Sequence, residues 1–280
     1  MKLNLGLIGV AIGKSKAPVL HKLLGMIHGY EISYELFQAK NSNESTFKAL
    51  LENAKKSHLN GCNITFPFKQ IAMSEIAGMD ASCRIVGSVN TLRFGSTMSA
   101  TNTDFSGFIK AIKHALNEKN VGKVLLLGAG GVGRAVGFAL GTLNAECIYI
   151  FDPTPKCASA LSQSLNDTGY NAQEITKKEL PLIIESLDGI ANCSPIGHYN
   201  TPGMPIAGSL IGSQSWVFDA VYTPLQTDFL KVSSSNKIQI ISGFELFLYQ
   251  GIDAFAFWTS QIIDEKLIRK EVLKNFDLLI

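Results

Sequence analysis

Six residues in the middle of the chain have the spacing G-x-G-x-x-G, in which glycines let backbone N–H groups approach an anion. An apolar run over 124–127 precedes them, and a helical pattern over 135–140 follows. A buried strand, a tight turn and a helix N-terminus suit the pyrophosphate of a dinucleotide, because the helix end supplies free N–H donors and partial positive charge. A glycine turn before a helix can also be purely structural. The residues of the turn are Gly128, Ala129, Gly130, Gly131, Val132 and Gly133.

An acidic residue follows the next apolar run at the distance that a dinucleotide requires. The run Cys147–Phe151 ends at Asp152, which lies 19 residues beyond Gly133. In dinucleotide-binding folds, an acid about 20 residues further on accepts hydrogen bonds from the ribose 2′-hydroxyl. A simple turn residue is the alternative, and the order strand–glycines–helix–strand–acid favours the cofactor. The carboxylate would repel a 2′-phosphate, and Lys156 is the only cation between Asp152 and Leu161, so the sequence predicts NAD in preference to NADP.

A second polar segment, from Asn63 to Lys69, suits the recognition of a hydroxylated ligand. Asn63 and Thr65 are two residues apart, so both side chains lie on one face if the segment is extended. Pro67 ends this strand, and Lys69 follows. A polar edge strand with a surface lysine would give the same pattern, and this segment alone favours that simpler interpretation.

Two predicted helix N-termini carry further polar residues. Pro18 suits the first position of a helix running to about His28, which makes Ala17 the N-cap and puts Ser15 near the helix end. Such an end attracts anions, for example a carboxylate, although Ser15 could equally serve only to cap the turn. Asp104 precedes an apolar helical stripe and is predicted to be the N-cap of that helix, a role that does not exclude catalysis.

The composition describes a globular protein with no strongly charged surface. Of 280 residues, 46% are hydrophobic and 17% are charged, and the net charge of +2 gives no reason to expect nucleic acid as a partner. No apolar run reaches the roughly 18 residues of a spanning helix, so we expect no membrane association and a cytoplasmic location. Five scattered cysteines without a C-x-x-C pair predict neither a disulfide scaffold nor a metal site. A monomer and a homodimer both remain open.

Strands alternate with helices from 124 to about 240, which predicts a Rossmann-type parallel sheet with crossover helices. The fold class is therefore α/β. We expect residues 105–242 to form the dinucleotide-binding domain. Residues 1–104 are expected to form an N-terminal α/β domain that the helices in 243–280 complete.

Motifs along nearly the whole chain, in the same order, resemble those of the shikimate dehydrogenase family, which includes quinate/shikimate dehydrogenases. The family's Asn-Val-Thr-x-Pro-x-Lys resembles Asn63–Lys69, and its Asp-x-x-Tyr-x-Pro-x-x-Thr resembles Asp219–Thr227. The other matching segments are Ser15–Pro18, Asn90–Leu92, Asn102–Phe105, Gly128–Gly133, Asn192–Pro195, and Gly243 with Gln250.

The resemblance implies reversible NAD(P)-dependent oxidation of a ring hydroxyl on a small-molecule substrate, shikimate or quinate, in the chorismate pathway of aromatic amino acid biosynthesis. It implies a substrate domain at the N-terminus and makes Lys69 and Asp104 the catalytic pair, which would relay the hydroxyl proton when hydride leaves carbon. The implied substrate contacts are Ser15, Ala17, Asn63, Thr65, Asn90, Tyr222 and Gln250. The implied cofactor contacts, besides the glycine turn and Asp152, are Asn192, Ser194, Val221 and Gly243.

Five positions depart from the family pattern. Lys14 replaces the usual His, Ala17 a Ser or Thr, Phe105 a Gly and Leu246 a Met, while Asp152-Pro-Thr154 stands where NADP-using members carry Asn-Arg-Thr. The first four leave the substrate open between shikimate, quinate and a related hydroxy acid. A non-catalytic sensor of a dinucleotide or a cyclohexane acid is the alternative function. The presence of Lys69 with Asp104 argues against a sensor, because binding alone does not need a proton-relay pair.

Overall fold

The computed structural model describes residues 1–117 and 119–275, and the chain divides into two compact units. Unit 1 comprises Met1–Ser106 together with the part of the chain from Leu248 onward, and unit 2 comprises Gly107–Phe247. In the described part of the chain, each unit contains a six-stranded sheet with helices. The predicted α/β class is therefore confirmed.

Unit 1 has a mixed sheet. Its strands are β1 (Lys2–Val10), β2 (Glu31–Ala39), β3 (Gly61–Ile64), β4 (Gly78–Met79), β5 (Thr91–Arg93) and β6 (Ser99–Thr101). Its helices are α1 (Ala17–His28), α2 (Glu44–Lys56), α3 (Ala81–Val86) and the start of α4 (Thr103–Leu116), with 3-10 segments at Ile12–Lys14 and Ile71–Glu75. The strand order is β2-β1-β3-β5-β6-β4. The central strand β1 runs parallel to β2 and β3, whereas β5 is antiparallel to both β3 and β6.

Unit 2 has a fully parallel sheet. Its strands are β7 (Lys123–Leu127), β8 (Cys147–Phe151), β9 (Ala172–Glu174), β10 (Gly189–Asn192), β11 (Trp216–Asp219) and β12 (Gln239–Ser242). Its helices are α5 (Gly131–Thr142), α6 (Pro155–Asp167), α7 (Leu180–Ile183) and α8 (Asp228–Ser235), with 3-10 segments at Ile184–Ser186 and Gly208–Leu210. The order β12-β11-β10-β7-β8-β9 reverses direction between β7 and β10, which is the switch point where Rossmann sheets bind dinucleotides.

Two C-terminal helices, α9 (Gly243–Thr259) and α10 (Glu265–Lys274), follow β12. The C-terminal part of α9 packs closely on the sheet of unit 1. The Trp258 indole covers Gly61, where a Cβ would lie 2.1 Å from Nε1, and Nε1 donates a hydrogen bond to the Leu92 carbonyl at 2.7 Å. Glycine at position 61 is therefore required, because any side chain there would displace the indole.

One short strand of unit 2, β9, is not recognisable from the sequence pattern. β9 comprises only Ala172–Glu174 and precedes β10 in the chain. A strand of three residues is too short to show an alternation of apolar and polar residues, so its pattern gives no signal.

Candidate active site

Lys69 and Asp104 form a buried ion pair in unit 1. Lys69 Nζ lies 2.5 Å from Asp104 Oδ2, and the two side chains are only 10% and 9% exposed. Removing both charges from water is tolerated because each compensates the other. An ammonium group has three N–H donors and this contact uses one of them. The pair can therefore still exchange a proton with a bound hydroxyl group.

Asp104 is held by the start of α4, but it is not the N-cap. α4 begins at Thr103, and Asn102 Oδ1 accepts a hydrogen bond from the Phe105 N–H at 3.1 Å. Asn102 is itself fixed, because its Nδ2 donates to the carbonyl and hydroxyl oxygens of Ser88 at 3.0 and 2.9 Å. The prediction that Asp104 caps this helix is therefore wrong. Capping by Asn102 leaves the Asp104 carboxylate available to Lys69.

Asn63 and Asn90 belong to one buried hydrogen-bond network that leads to Asp104. Asn63 Nδ2 donates to Thr91 Oγ1 at 3.1 Å, and Thr91 Oγ1 donates to Asn90 Oδ1 at 3.0 Å. Asn90 Oδ1 also accepts the Thr103 N–H at 2.7 Å, one residue before Asp104 in the chain. The network thus joins Asn63 and Asn90 to the backbone of Thr103, the residue that precedes Asp104.

Thr65 lies one residue beyond β3, immediately before a turn over residues 66–70. Its N–H donates to the Ile8 carbonyl at 2.9 Å, so the pairing with β1 continues past the strand end. A Cβ on Gly9 would lie 2.3 Å from Thr65 Cγ2, which shows how closely the Thr65 methyl group packs on that strand. This continued pairing fits the predicted shared face of Asn63 and Thr65.

Ser15 and Ala17 lie at the start of α1, which begins one residue earlier than expected. Ala17 is the first helical residue and Lys16 is the N-cap, since the Lys16 carbonyl accepts the Leu20 N–H at 3.1 Å. The prediction that Ala17 is the N-cap is therefore wrong. Ser15 Oγ accepts the Ala17 N–H at 3.3 Å, so Ser15 does cap this turn. Its O–H remains a donor for a ligand.

The two remaining predicted substrate residues lie in different units. Gln250 is a partly buried residue of α9 in unit 1. Tyr222 follows β11 in unit 2, where its ring stacks on Phe247 with centroids 4.8 Å apart and an interplanar angle of 17°. Burial raises the pKa of Tyr222 to about 12. Its phenol group therefore stays protonated at neutral pH and can donate a hydrogen bond.

The glycine turn of unit 2 joins β7 to α5 in a conformation that only glycines allow. Gly128 has a φ of +95°, and a Cβ on Gly133 would lie 1.9 Å from the Gly128 carbonyl oxygen. A Cβ on Gly130, in contrast, would meet no atom of the described chain within 4 Å. Gly130 is exposed and is the N-cap of α5, with no side-chain hydrogen bond. The open space and the free N–H groups fit a dinucleotide pyrophosphate.

Asp152 stands beside this turn at the end of β8. Its Oδ2 accepts the Ala129 N–H at 2.8 Å, and its Oδ1 accepts the Thr154 N–H at 2.8 Å. Each carboxylate oxygen has a second lone pair, so both can still accept a hydrogen bond from a ribose hydroxyl. The N–H groups of the turn and the acceptor oxygens of Asp152 therefore fit the adenosine half of a dinucleotide.

Asn192 and Ser194 follow β10, and their side chains hold the loops at this end of the sheet. Asn192 Oδ1 accepts hydrogen bonds from the Ser194 N–H at 3.1 Å and from Ser194 Oγ at 2.6 Å. Asn192 Nδ2 donates to Asp219 Oδ1 at 2.9 Å, and Val221 N–H donates to the same oxygen at 3.0 Å. Gly243 is tightly packed, since a Cβ there would lie 2.6 Å from the Ala220 carbonyl oxygen. These predicted cofactor residues are thus gathered in one loop cluster.

Asp219 is a fully buried carboxyl group at the end of β11. Besides Asn192 and Val221, Thr227 Oγ1 donates to its Oδ2 at 2.5 Å. Burial raises the pKa of Asp219 to about 6, although these three donors oppose the shift. The matched segment Asp219–Thr227 was the signal that could have identified it. Asp219 holds the loop that contains Tyr222.

Within residues 1–117 and 119–275, no helix combines the length and the apolar character that a membrane span requires.

Comparisons with known proteins extend the resemblance to the whole chain. Residues 7–92 match a family model described as the shikimate dehydrogenase substrate binding domain. The chain is 32% identical to the shikimate dehydrogenase (NADP(+)) of Arthrobacter sp. (strain FB24), over 96% of this chain and 94% of that protein. It is 30% identical to the quinate/shikimate dehydrogenase (NAD(+)) of Corynebacterium efficiens, over 96% and 97%.

Solved structures of quinate and shikimate dehydrogenases have a similar fold over nearly the whole chain. Quinate dehydrogenase from Corynebacterium glutamicum in complex with NAD gives a TM-score of 0.89 at 29% identity, over 98% of this chain and 99% of that chain. Shikimate 5-dehydrogenase from Thermus thermophilus in complex with NADP(H) and shikimate gives 0.83 at 26% identity, over 97% and 99%.

Proposed function

This chain belongs to the shikimate dehydrogenase family, and we propose that it catalyses the reversible NAD(P)-dependent oxidation of a ring hydroxyl of shikimate or quinate. Unit 1 binds the acid, which the family match over residues 7–92 supports. Unit 2 binds the dinucleotide through the glycine turn and Asp152. The observation that carries the proposal is the buried Lys69–Asp104 pair at 2.5 Å, because binding alone requires no such pair.

Lys69 exchanges the proton of the reacting hydroxyl in this mechanism. In the oxidation direction the Lys69 amine accepts the hydroxyl proton, and in the reduction direction the ammonium donates a proton to the carbonyl oxygen. Asp104 stabilises the ammonium form in both directions. When bound, the nicotinamide dinucleotide supplies the hydride acceptor or donor. Asn63 and Asn90 orient the ring through its hydroxyl groups.

NAD is the preferred cofactor in this proposal. Two relatives differ in this respect, since the Arthrobacter protein is named for NADP(+) and the Corynebacterium efficiens protein for NAD(+). The Asp152 carboxylate supports NAD, because a 2′-phosphate would be repelled while a 2′-hydroxyl can donate to it. Asp152→Ala removes the repulsion, so it should bring kcat/KM for NADP closer to that for NAD. The exposed Asp167 of α6 provides a matched control, Asp167→Ala, which should leave the ratio unchanged.

One spectrophotometric panel tests the reaction: shikimate and quinate, each with NAD and with NADP. We expect turnover of at least one acid, with a higher kcat/KM for NAD. Lys69→Ala should lower kcat by about 10²- to 10⁴-fold and leave dinucleotide affinity nearly unchanged. Lys56→Ala, at an exposed position of α2, is the control for loss of a lysine in unit 1.

Two results would contradict the proposal. Near-normal kcat in Lys69→Ala would remove this residue from the mechanism. Dinucleotide or acid binding without turnover in any arm of the panel would instead favour a sensor. A higher kcat/KM with NADP would overturn the cofactor preference alone.

A further inference from the structure

Tyr34 connects a fully buried histidine to Asn63 in unit 1. Its hydroxyl donates to Asn63 Oδ1 at 2.8 Å. Its ring stacks on the His21 imidazole, with centroids 5.4 Å apart and an interplanar angle of 6°. His21 in turn packs against the Trp258 ring at 4.8 Å. Both the ring and the hydroxyl of Tyr34 are therefore held in place.

The groups around Asn63 fix its amide in one orientation. Asn63 Nδ2 lies 3.4 Å from the Asn90 carbonyl oxygen and 3.1 Å from Thr91 Oγ1. A backbone carbonyl only accepts hydrogen bonds, so the amide nitrogen must face it. The amide oxygen then faces Tyr34, whose hydroxyl supplies the donor. A half-turn of the amide would place oxygen against oxygen at Asn90 and bring the amide nitrogen to the Tyr34 hydroxyl.

His21 supports the Tyr34 ring by stacking rather than by hydrogen bonding. Neither of its ring nitrogens has a hydrogen-bond partner among the described residues. Burial lowers the pKa of His21 to about 3, against a smaller opposing contribution from Asn63, so the ring is neutral at physiological pH. Stacked aromatic rings attract each other beyond the effect of their buried area. His21 thus restrains the ring that carries the hydroxyl.

We propose that Tyr34 is a positioning residue for the acid, an inference that rests on the proposed dehydrogenase function. Its hydroxyl holds the Asn63 amide in the orientation that binds a ring hydroxyl of the substrate. When that hydroxyl is absent, Asn63 Oδ1 loses the hydrogen bond from Tyr34 and the amide can turn. The acid then binds less tightly, while Lys69 and Asp104 keep their contact and their proton transfer.

The substitution Tyr34→Phe tests this role, because it removes the hydroxyl and keeps the stacked ring. We expect the KM for the acid to rise about 2- to 12-fold, which corresponds to the loss of one hydrogen bond. We expect kcat to stay within about twofold, because a group that only orients the bound acid affects binding more than chemistry. The KM for the dinucleotide should not change.

Tyr30→Phe is the matched control. The Tyr30 hydroxyl accepts a hydrogen bond from Gln261 Nε2 at 3.2 Å, and its ring packs edge-on against Phe255. The control therefore loses one hydrogen-bonded hydroxyl in the same unit. An unchanged KM for the acid in Tyr34→Phe, or an equal rise in Tyr30→Phe, would overturn the role of Tyr34.

A second measurement separates this inference from the proposed function. The side-chain amide signals of Asn63 can be followed by NMR in the ligand-free protein and assigned by their loss in Asn63→Asp. Tyr34→Phe should shift these signals, and Tyr30→Phe should not. If wild-type protein turns over neither acid, the proposed function fails, while a shift still supports the positioning of Asn63 by Tyr34. Unshifted signals in Tyr34→Phe overturn the inference whatever the activity.

Discussion

Replacing His21 by phenylalanine should make the protein more resistant to mild acid. His21 is completely buried, neither ring nitrogen has a hydrogen-bond partner among the described residues, and burial lowers its pKa from 6.5 to about 3. Below pH 6.5 the unfolded chain binds a proton at this position, whereas the folded protein does not. His21 therefore contributes stability that is fully present above pH 6.5 and is lost as the pH falls toward 3.

The size of the effect follows from the difference between the two pKa values. Each decrease of one pH unit inside this window lowers the free energy of unfolding by about 1.4 kcal/mol. The full window from 6.5 to about 3 corresponds to a loss of about 5 kcal/mol, which is a large part of the stability of a typical domain. A phenylalanine at position 21 does not titrate, so this loss disappears.

Urea unfolding of wild type and His21→Phe between pH 7 and pH 4 measures the effect. Phenylalanine keeps a ring beside Tyr34 and Trp258, and any repacking cost shifts the difference by an amount that does not depend on pH. The free energy of unfolding of wild type minus that of the variant should fall by about 1.4 kcal/mol for each pH unit by which the pH is lowered below 6. His58→Asn, which removes an exposed histidine, is the matched control, and the slope for His21→Phe is compared with it. A flat difference for His21→Phe would refute the reasoning.

Three further substitutions test other parts of the structure. Gly133→Ala should weaken dinucleotide binding at least about tenfold, because the new Cβ would lie 1.9 Å from the Gly128 carbonyl oxygen and the turn would have to open. A fluorescence titration measures this affinity, and a wild-type value would contradict the prediction. Asp219→Asn removes a carboxyl group whose pKa burial raises from 3.8 to about 6, so the stability of wild type relative to the variant should fall as the pH rises from about 4 to 6 and stay level above 7. A level difference through that range in urea unfolding would show that Asp219 does not titrate there. Ala17→Ser should lower the KM for the acid and change the free energy of unfolding by less than about 0.5 kcal/mol, because Lys16 is the N-cap. A gain of 1 kcal/mol or more, on the order of an N-cap effect, would mean that position 17 caps the helix after all.

The sequence predicts the parallel sheet of unit 2 and its glycine turn because both depend on neighbouring residues. Gly128 and Gly133 are close in the chain, and the turn needs no distant partner to form. Asp152 also follows from local order, since it directly ends the second apolar run. Such features depend only on residues that are close in the chain, so the hydrophobic periodicity and the spacing of the glycines are enough to predict them.

The first residues of helices are harder to predict, for a physical reason. Ala17 was predicted as the N-cap because Pro18 can occupy either of the first two helical positions, and the structure uses the second. Asp104 was predicted as the N-cap because it precedes the apolar stripe, but Asn102 has the same capping ability two residues earlier. A shift of one or two residues along a helix is below what capping preferences can distinguish.

The polar network of unit 1 could not be predicted from the sequence. Tyr34 and Asn63 are 29 residues apart and lie on different strands, so their hydrogen bond depends on how the sheet is paired. His21 gives no sign of complete burial, because a single polar residue on an amphipathic helix can face either solvent or the core. Only the packing of α1 between β2 and α9 decides this.

The contact between Trp258 and Gly61 has a consequence for the order in which the protein is completed during synthesis. Unit 2 is continuous in the chain, so all of its strands have been made once Phe247 has been added. Unit 1 is begun first and finished last, because its sheet stays uncovered at Gly61 until Trp258 has left the ribosome. A chain stopped between these two points would contain Lys69 and Asp104 together with a complete unit 2. It would still lack the indole that covers Gly61 in unit 1, so under the proposed function dinucleotide binding should arise before acid binding as the chain grows.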